Sequence, residues 1–171
     1  MFKKYLLTVF ITLFFCSPVC SAVSKSQKDG VWNTGQDDIS HLKGKNSNYK
    51  KGYDALKQAK KYDQKKKSGK AKKRFNDAIK FFVLANKENP SQPDILNYLG
   101  YSYAKVDDFL MAEIYYEQGL IINPKHIEIN EYLGVLYVKT NRVIKAKERL
   151  KVLKNCKCEE FEKLQNLISK Y

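Results

Sequence analysis

The segments Tyr98-Leu99-Gly100-Tyr101-Ser102-Tyr103 and Tyr132-Leu133-Gly134-Val135-Leu136-Tyr137 stand 34 residues apart and share a large residue, a Leu-Gly pair and a tyrosine in fixed phase. Laying residues 93–126 over 127–160 also aligns Lys105 with Lys139 and Ala112 with Ala146. The same register pairs Asn89-Pro90 with Asn123-Pro124, Ala78 with Ala112 and Phe82 with Tyr116. Self-similarity at one fixed period marks a repeat architecture, in which each unit buries its apolar face on the next.

The spacing fits paired antiparallel helices that touch where side chains are small. Gly100 with Ala112, and Gly134 with Ala146, are expected at that close approach, with Tyr103 and Tyr116 filling the wider spaces. A glycine inside a helix costs about 1 kcal/mol against alanine, so its recurrence at one phase calls for a packing reason. Leu96, Leu99, Gly100, Tyr103, Ala112, Tyr116 and Pro124, followed by Leu133, Gly134, Tyr137, Ala146 and Leu150, resemble the tetratricopeptide repeat (TPR). The resemblance implies an all-α solenoid of about three helix-turn-helix repeats.

Upstream, Tyr49, Tyr53, Leu56 and Tyr62 fall near one helical face, which predicts a helix over about 48–64. Lys65-Lys66-Lys67-Ser68-Gly69-Lys70 is expected to break it. A second helix over about 71–88 carries Phe75, Ala78, Ile79, Phe82 and Ala85 on one side and ends at Asn89-Pro90. This first repeat lacks the Leu-Gly pair, and its lysine-rich insertion throws its first helix out of register. At the other end, Phe161, Leu164 and Ile168 share a face behind an acidic start, the pattern of a capping helix over 159–171 that covers the last repeat. The repeats are thus placed at 48–158.

The amino terminus has the three parts of a secretory signal peptide over residues 1–22: Lys3-Lys4, an apolar run from Tyr5 to Phe15, and small residues near Ala22. The run is shorter than the roughly 20 residues of a membrane-spanning helix. Cleavage is expected after Ala22, or after Ser21. Phe15 before Cys16 and Val19 before Cys20 speak against lipid attachment. Residues 23–47 are polar and aperiodic and read as a flexible leader, including Trp32 beside Val31. The expected location is therefore periplasmic or secreted.

Formal charge is +14 over 171 residues, with +11 in residues 23–80 and +1 in residues 81–171. The basic character belongs to the amino-terminal half. Lys65, Lys66, Lys67, Lys70, Lys72, Lys73 and Arg74 suit a solvated helix face or weak contact with an anionic membrane surface. Nucleic acid is not expected, because Tyr53, Tyr62 and Phe75 fit helix packing better than base stacking.

In a repeat stack the first helices line one concave side. Asp94, Asn97, Tyr98 and Tyr101 share a phase with Glu128, Glu131, Tyr132 and Val135, which predicts an acidic, aromatic groove for a protein or peptide partner. The resemblance adds that TPR domains gripping chaperone carboxyl termini use Lys, Asn and Arg in this groove. Glu128 stands where that group has Lys, so the chaperone-tail clamp is not expected.

Cys156 and Cys158 alone remain after the signal peptide and are a candidate disulfide across one residue. His41 and His126 have no sequence reason to converge on them, so neither a metal nor a cofactor is expected. No phosphate loop, nucleophile motif or metal-ligand helix is present, and no enzyme is expected. Glu131-Tyr132-Leu133-Gly134-Val135-Leu136-Tyr137, the cysteine pair and Glu159-Glu160-Phe161 together resemble small exported TPR proteins of alphaproteobacteria, over roughly residues 70–171. The expectation is an exported adaptor; the alternative is a peripheral envelope protein held on an anionic membrane by its basic amino-terminal half.

Overall fold

The computed structural model describes residues 47–171. The expected signal peptide and the leader up to residue 46 lie outside the described residues.

Seven helices and no strand occur among them: α1 (Asn48–Gln64), α2 (Ser68–Glu88), α3 (Pro93–Lys105), α4 (Phe109–Ile122), α5 (Ile127–Lys139), α6 (Val143–Leu153) and α7 (Glu159–Ile168). α1 pairs with α2, α3 with α4 and α5 with α6; α2 also packs on α3, α4 on α5, and α7 on both α5 and α6. This is the all-α TPR solenoid the 34-residue register predicted. One core cluster runs through α1, α2 and α3, from Tyr49 to Leu99. A second joins α4 to α7 around Tyr116, Leu133 and Leu164, and Tyr103 packs against both clusters.

Local chemistry sets the helix ends. The Ser47 hydroxyl accepts the Lys50 amide at 3.2 Å and the Asp108 carboxylate accepts the Met111 amide at 3.1 Å, each supplying a partner for an otherwise orphan first-turn donor. Pro93 opens α3, where its missing N–H costs nothing. Asn89 and Asn123, each ahead of a proline, cap the ends of α2 and α4. The turns inside the second and third hairpins pass through left-handed residues at equivalent places, Asp107 (φ 69°) and Asn141 (φ 59°). The first hairpin uses Lys66 (φ 54°). Its turn is tighter than expected, because α2 begins at Ser68 and absorbs half of the lysine-rich stretch.

The close contacts differ from the expectation in two ways. A Cβ on Gly100 would lie 2.5 Å from the Tyr116 ring, on the opposing helix of the same hairpin. Gly134, at the same phase, instead faces Leu164 of α7, so the capping helix rather than Ala146 occupies its approach. The first repeat has the contact as well: a Cβ on Gly52 would lie 2.8 Å from the Phe82 ring. Phe82 is the register equivalent of Tyr116, yet Gly52 and Phe82 are 30 residues apart where Gly100 and Tyr116 are 16 apart. The excess of 14 divides into seven residues after Gly52 in α1 and seven before Phe82 in α2. Seven residues are close to two helical turns, so both helices lengthen without rotating their apolar faces.

Candidate functional site

The first helices of the three hairpins, α1, α3 and α5, enclose a cleft of about 190 Å³ lined by Tyr53, Leu56, Lys57, Lys60, Asn97, Tyr98, Tyr101, Glu128 and Tyr132. Its floor is aromatic. Tyr98 lies 5.8 Å from Tyr53 and 5.2 Å from Phe82, and Tyr101 lies 5.1 Å from Tyr132, measured between ring centroids. Burial drives the hydroxyl pKa values of Tyr98, Tyr101 and Tyr132 upward, so all three present neutral O–H groups at physiological pH.

The walls carry opposite charge. Lys57 and Lys60 stand on α1 and Glu128 on α5. The Lys60 ammonium sits 4.6 Å from the Tyr101 ring centroid. Burial pulls its pKa below the ordinary lysine value; Glu128 opposes that shift and Lys105 adds to it. Between the walls Asn97 is 3 % exposed, and its carboxamide oxygen has no hydrogen-bond partner. A buried acceptor left unsatisfied costs about 1–3 kcal/mol, so it calls for an explanation.

Of the residues expected in the groove, Asn97, Tyr98, Tyr101, Glu128 and Tyr132 come together in this cleft. The other three do not line it. Asp94 turns to His126, whose Nε2 lies 3.2 Å from its carboxylate. Glu131 is 8 % exposed, and burial pushes its pKa up to about 7 against the pull of Lys163, with Glu160, Glu128 and Glu159 reinforcing the rise. Val135 packs against the second core cluster. The groove is not acidic throughout either, because α1 supplies two lysines that the register did not place. The adjacent Gly52-Tyr53, repeating Gly100-Tyr101, was the available signal.

Asp94, His126 and Glu128 bring one possible ligand atom each to within 4.8 Å of one another. Both ring nitrogens of His126 already have partners: Nδ1 accepts the Ile129 amide at 3.3 Å, capping α5, and Nε2–H donates to Asp94. This trio ties α5 to α3. At the α6–α7 turn Cys156 and Cys158 are joined as a disulfide, with Lys157 between them at φ 51°.

No protein-family profile matches the chain. Over 81 residues it is 30% identical to the uncharacterized protein ycf37 of Guillardia theta, an alignment covering 47% of this chain and 44% of that protein. The chain thus spans less than half the length of the curated relative it matches. Among solved structures it is similar to the first TPR domain of Spaghetti (RPAP3) bound to an HSP90 peptide, with a TM-score of 0.55 and 16% identity over 71% of this chain and 95% of that one. It is also similar to the Sgt2 TPR domain of Aspergillus fumigatus, at TM-score 0.54 and 15% identity over 70% and 77% of the two chains. A third is the Yersinia enterocolitica type III secretion chaperone SycD in complex with a peptide of the translocator YopD, at TM-score 0.52 and 16% identity over 69% and 86%. At these identities the likeness shows the fold.

Proposed function

We propose that the chain is an exported adaptor that holds an extended segment of a partner protein in the α1–α3–α5 cleft and performs no catalysis. The tyrosine floor between oppositely charged walls carries this reading: the rings of Tyr53, Tyr98, Tyr101 and Tyr132 take apolar side chains of a bound segment, with Lys57 and Lys60 on one side and Glu128 on the other. The charged walls favour a segment with an acidic group toward Lys57 and Lys60 and a basic group toward Glu128. Peptide complexes among proteins of this fold, such as that of RPAP3 with its HSP90 peptide, lend support by analogy.

Lys57→Glu separates binding from folding. Lys57 is exposed on α1, and a surface substitution shifts stability by no more than about 0.5 kcal/mol, so the variant should melt with the parent. Peptides selected on the parent from a random display library should bind the variant at least tenfold more weakly by fluorescence anisotropy. Equal binding by both proteins would remove the basis of the proposal. Export rests on Lys3-Lys4, the apolar run and the small residues near Ala22. Mass spectrometry of the cellular protein should find a new amino terminus at Val23 or Ala22, and an intact Met1 would contradict it.

A further inference from the structure

The side of the solenoid away from the cleft carries its own pattern. α4 uses Ala112, Tyr116 and Gly119 inward, and its only charged residues are Glu113 and Glu117. Leu110, Ile114 and Ile121 fall within about 40° of one another on the opposite side of the helix, at 100° per residue. Leu110 is 70% exposed and Ile121 81%. The register equivalent of Leu110 on α6 is Ile144, which is 79% exposed. The equivalents of Ile114 and Ile121 on α2 are Lys80 and Lys87, and that of Glu117 on α6 is Lys151. An aliphatic centre is therefore flanked by lysines at one outward phase. Among the described residues these three lysines have no acidic partner, unlike Lys50, Lys105, Lys139 and Lys163. The acids at this phase are Glu117 and Glu148, and Glu117 already accepts the Tyr137 hydroxyl at 3.3 Å.

We propose that this outward face docks on an anionic lipid surface, with Leu110, Ile114, Ile121 and Ile144 entering the headgroup–acyl boundary and the lysines meeting lipid phosphates. Apolar insertion plus basic flanks is the chemistry of interfacial binding. Three of these aliphatic side chains form a stripe on α4 and the fourth stands apart on α6, and the two helices do not pack on each other. A fluid bilayer accommodates separate projections where a protein partner would need a matching contour. Among the described residues no helix is long and apolar enough to cross a membrane, so the contact is peripheral. The location differs from the sequence expectation, which put lipid contact in the basic amino-terminal half.

The test is cosedimentation of the full chain with vesicles of phosphatidylcholine, alone or mixed with phosphatidylglycerol, at low and physiological salt. The parent should sediment with the anionic vesicles. Leu110→Glu combined with Ile121→Glu and Ile144→Glu should weaken partitioning at least tenfold at both salt concentrations while leaving the thermal melt unchanged; serine replacements serve if glutamates disturb folding. Lys80→Glu with Lys87→Glu and Lys151→Glu should also weaken it, chiefly at low salt. A charge-matched control, Lys50→Glu with Lys61→Glu and Lys170→Glu, should bind more nearly like the parent. The proposal falls if the parent ignores anionic vesicles or if the aliphatic variant sediments as the parent does. It falls equally if the control loses as much as the Lys80 set, which would leave net charge as the cause. A parent that dimerises through this face in sedimentation velocity, while the aliphatic variant stays monomeric, would make the occupant a second copy and overturn the lipid reading.

Discussion

Replacing Gly100 with alanine tests the packing rule on which the register rests. The new Cβ would lie 2.5 Å from two carbons of the Tyr116 ring, whereas unstrained carbon contacts begin near 3.5 Å. The ring must therefore yield by about 1 Å. Tyr116 is fully buried and backed by Tyr132 at 6.4 Å, so the hairpin has to open instead. Overpacking of this kind costs about 1–3 kcal/mol. Alanine returns about 1 kcal/mol in helix propensity, leaving a net loss of about 1 kcal/mol. For a domain of this size that lowers Tm by about 4 °C. At Gly69 nothing lies within 4 Å, so the same substitution should raise Tm or leave it unchanged. Thermal denaturation followed by circular dichroism reads both. In a Tyr116→Leu background the Gly100→Ala penalty should vanish, because the branched side chain can retreat from the new methyl. If both alanines shift Tm the same way, or if the penalty persists in that background, the ring contact is not the reason for the glycine.

Three further outcomes follow. Burial holds the Glu131 carboxyl near 7, above the value of about 4.5 for an unperturbed glutamate, so its contribution to stability is full below about pH 4.5 and is lost as pH rises through 7. Glu131→Gln should flatten that decline, giving similar urea midpoints at pH 5 and pH 8; a slope equal to the parent's would refute the assignment. Lys66 holds a left-handed backbone conformation that glycine adopts without a Cβ clash, so Lys66→Gly should stabilise the chain by up to about 1 kcal/mol in chemical denaturation. A loss of stability would count against that account. His126→Ala removes the cap on Ile129 and should cost about 1 kcal/mol, most of which His126→Asn should restore; indistinguishable melts of all three proteins would exclude the capping role.

The fold was legible because Leu99-Gly100 and Leu133-Gly134 repeat at one period, and helix packing forces a small residue at that phase. The first repeat was obscured although its chemistry is the same. Fourteen extra residues between Gly52 and Phe82 hide the contact from a fixed-period comparison. That gap also hid one wall of the cleft, since Lys57 and Lys60 could be placed only once α1 was in phase. Phase alone misassigned Glu131 and Val135, because it locates a side chain on its helix and says nothing of the helix that comes to lie over it. The same limit applied to Gly134: the approach of α7 belongs to the end of the stack, where periodicity stops. The Asp94–His126 pair links consecutive repeats through unlike residues, so no internal likeness could announce it.

The lengthened first hairpin separates two properties that a uniform array keeps together. Its base, where Gly52 meets Phe82, fixes how the hairpin stacks; its outer two turns, about 10 Å of each helix, bring Lys60 over the Tyr101 ring and Asp63 to Lys105. Deleting seven residues from both helices at once gives up those contacts but keeps the two apolar stripes in phase, whereas altering one helix alone would slide its stripe off the partner. The hairpin therefore behaves as an arm graduated in paired double turns, and a matched excision from both helices should keep the Gly52–Phe82 packing while taking Lys60 out of the cleft.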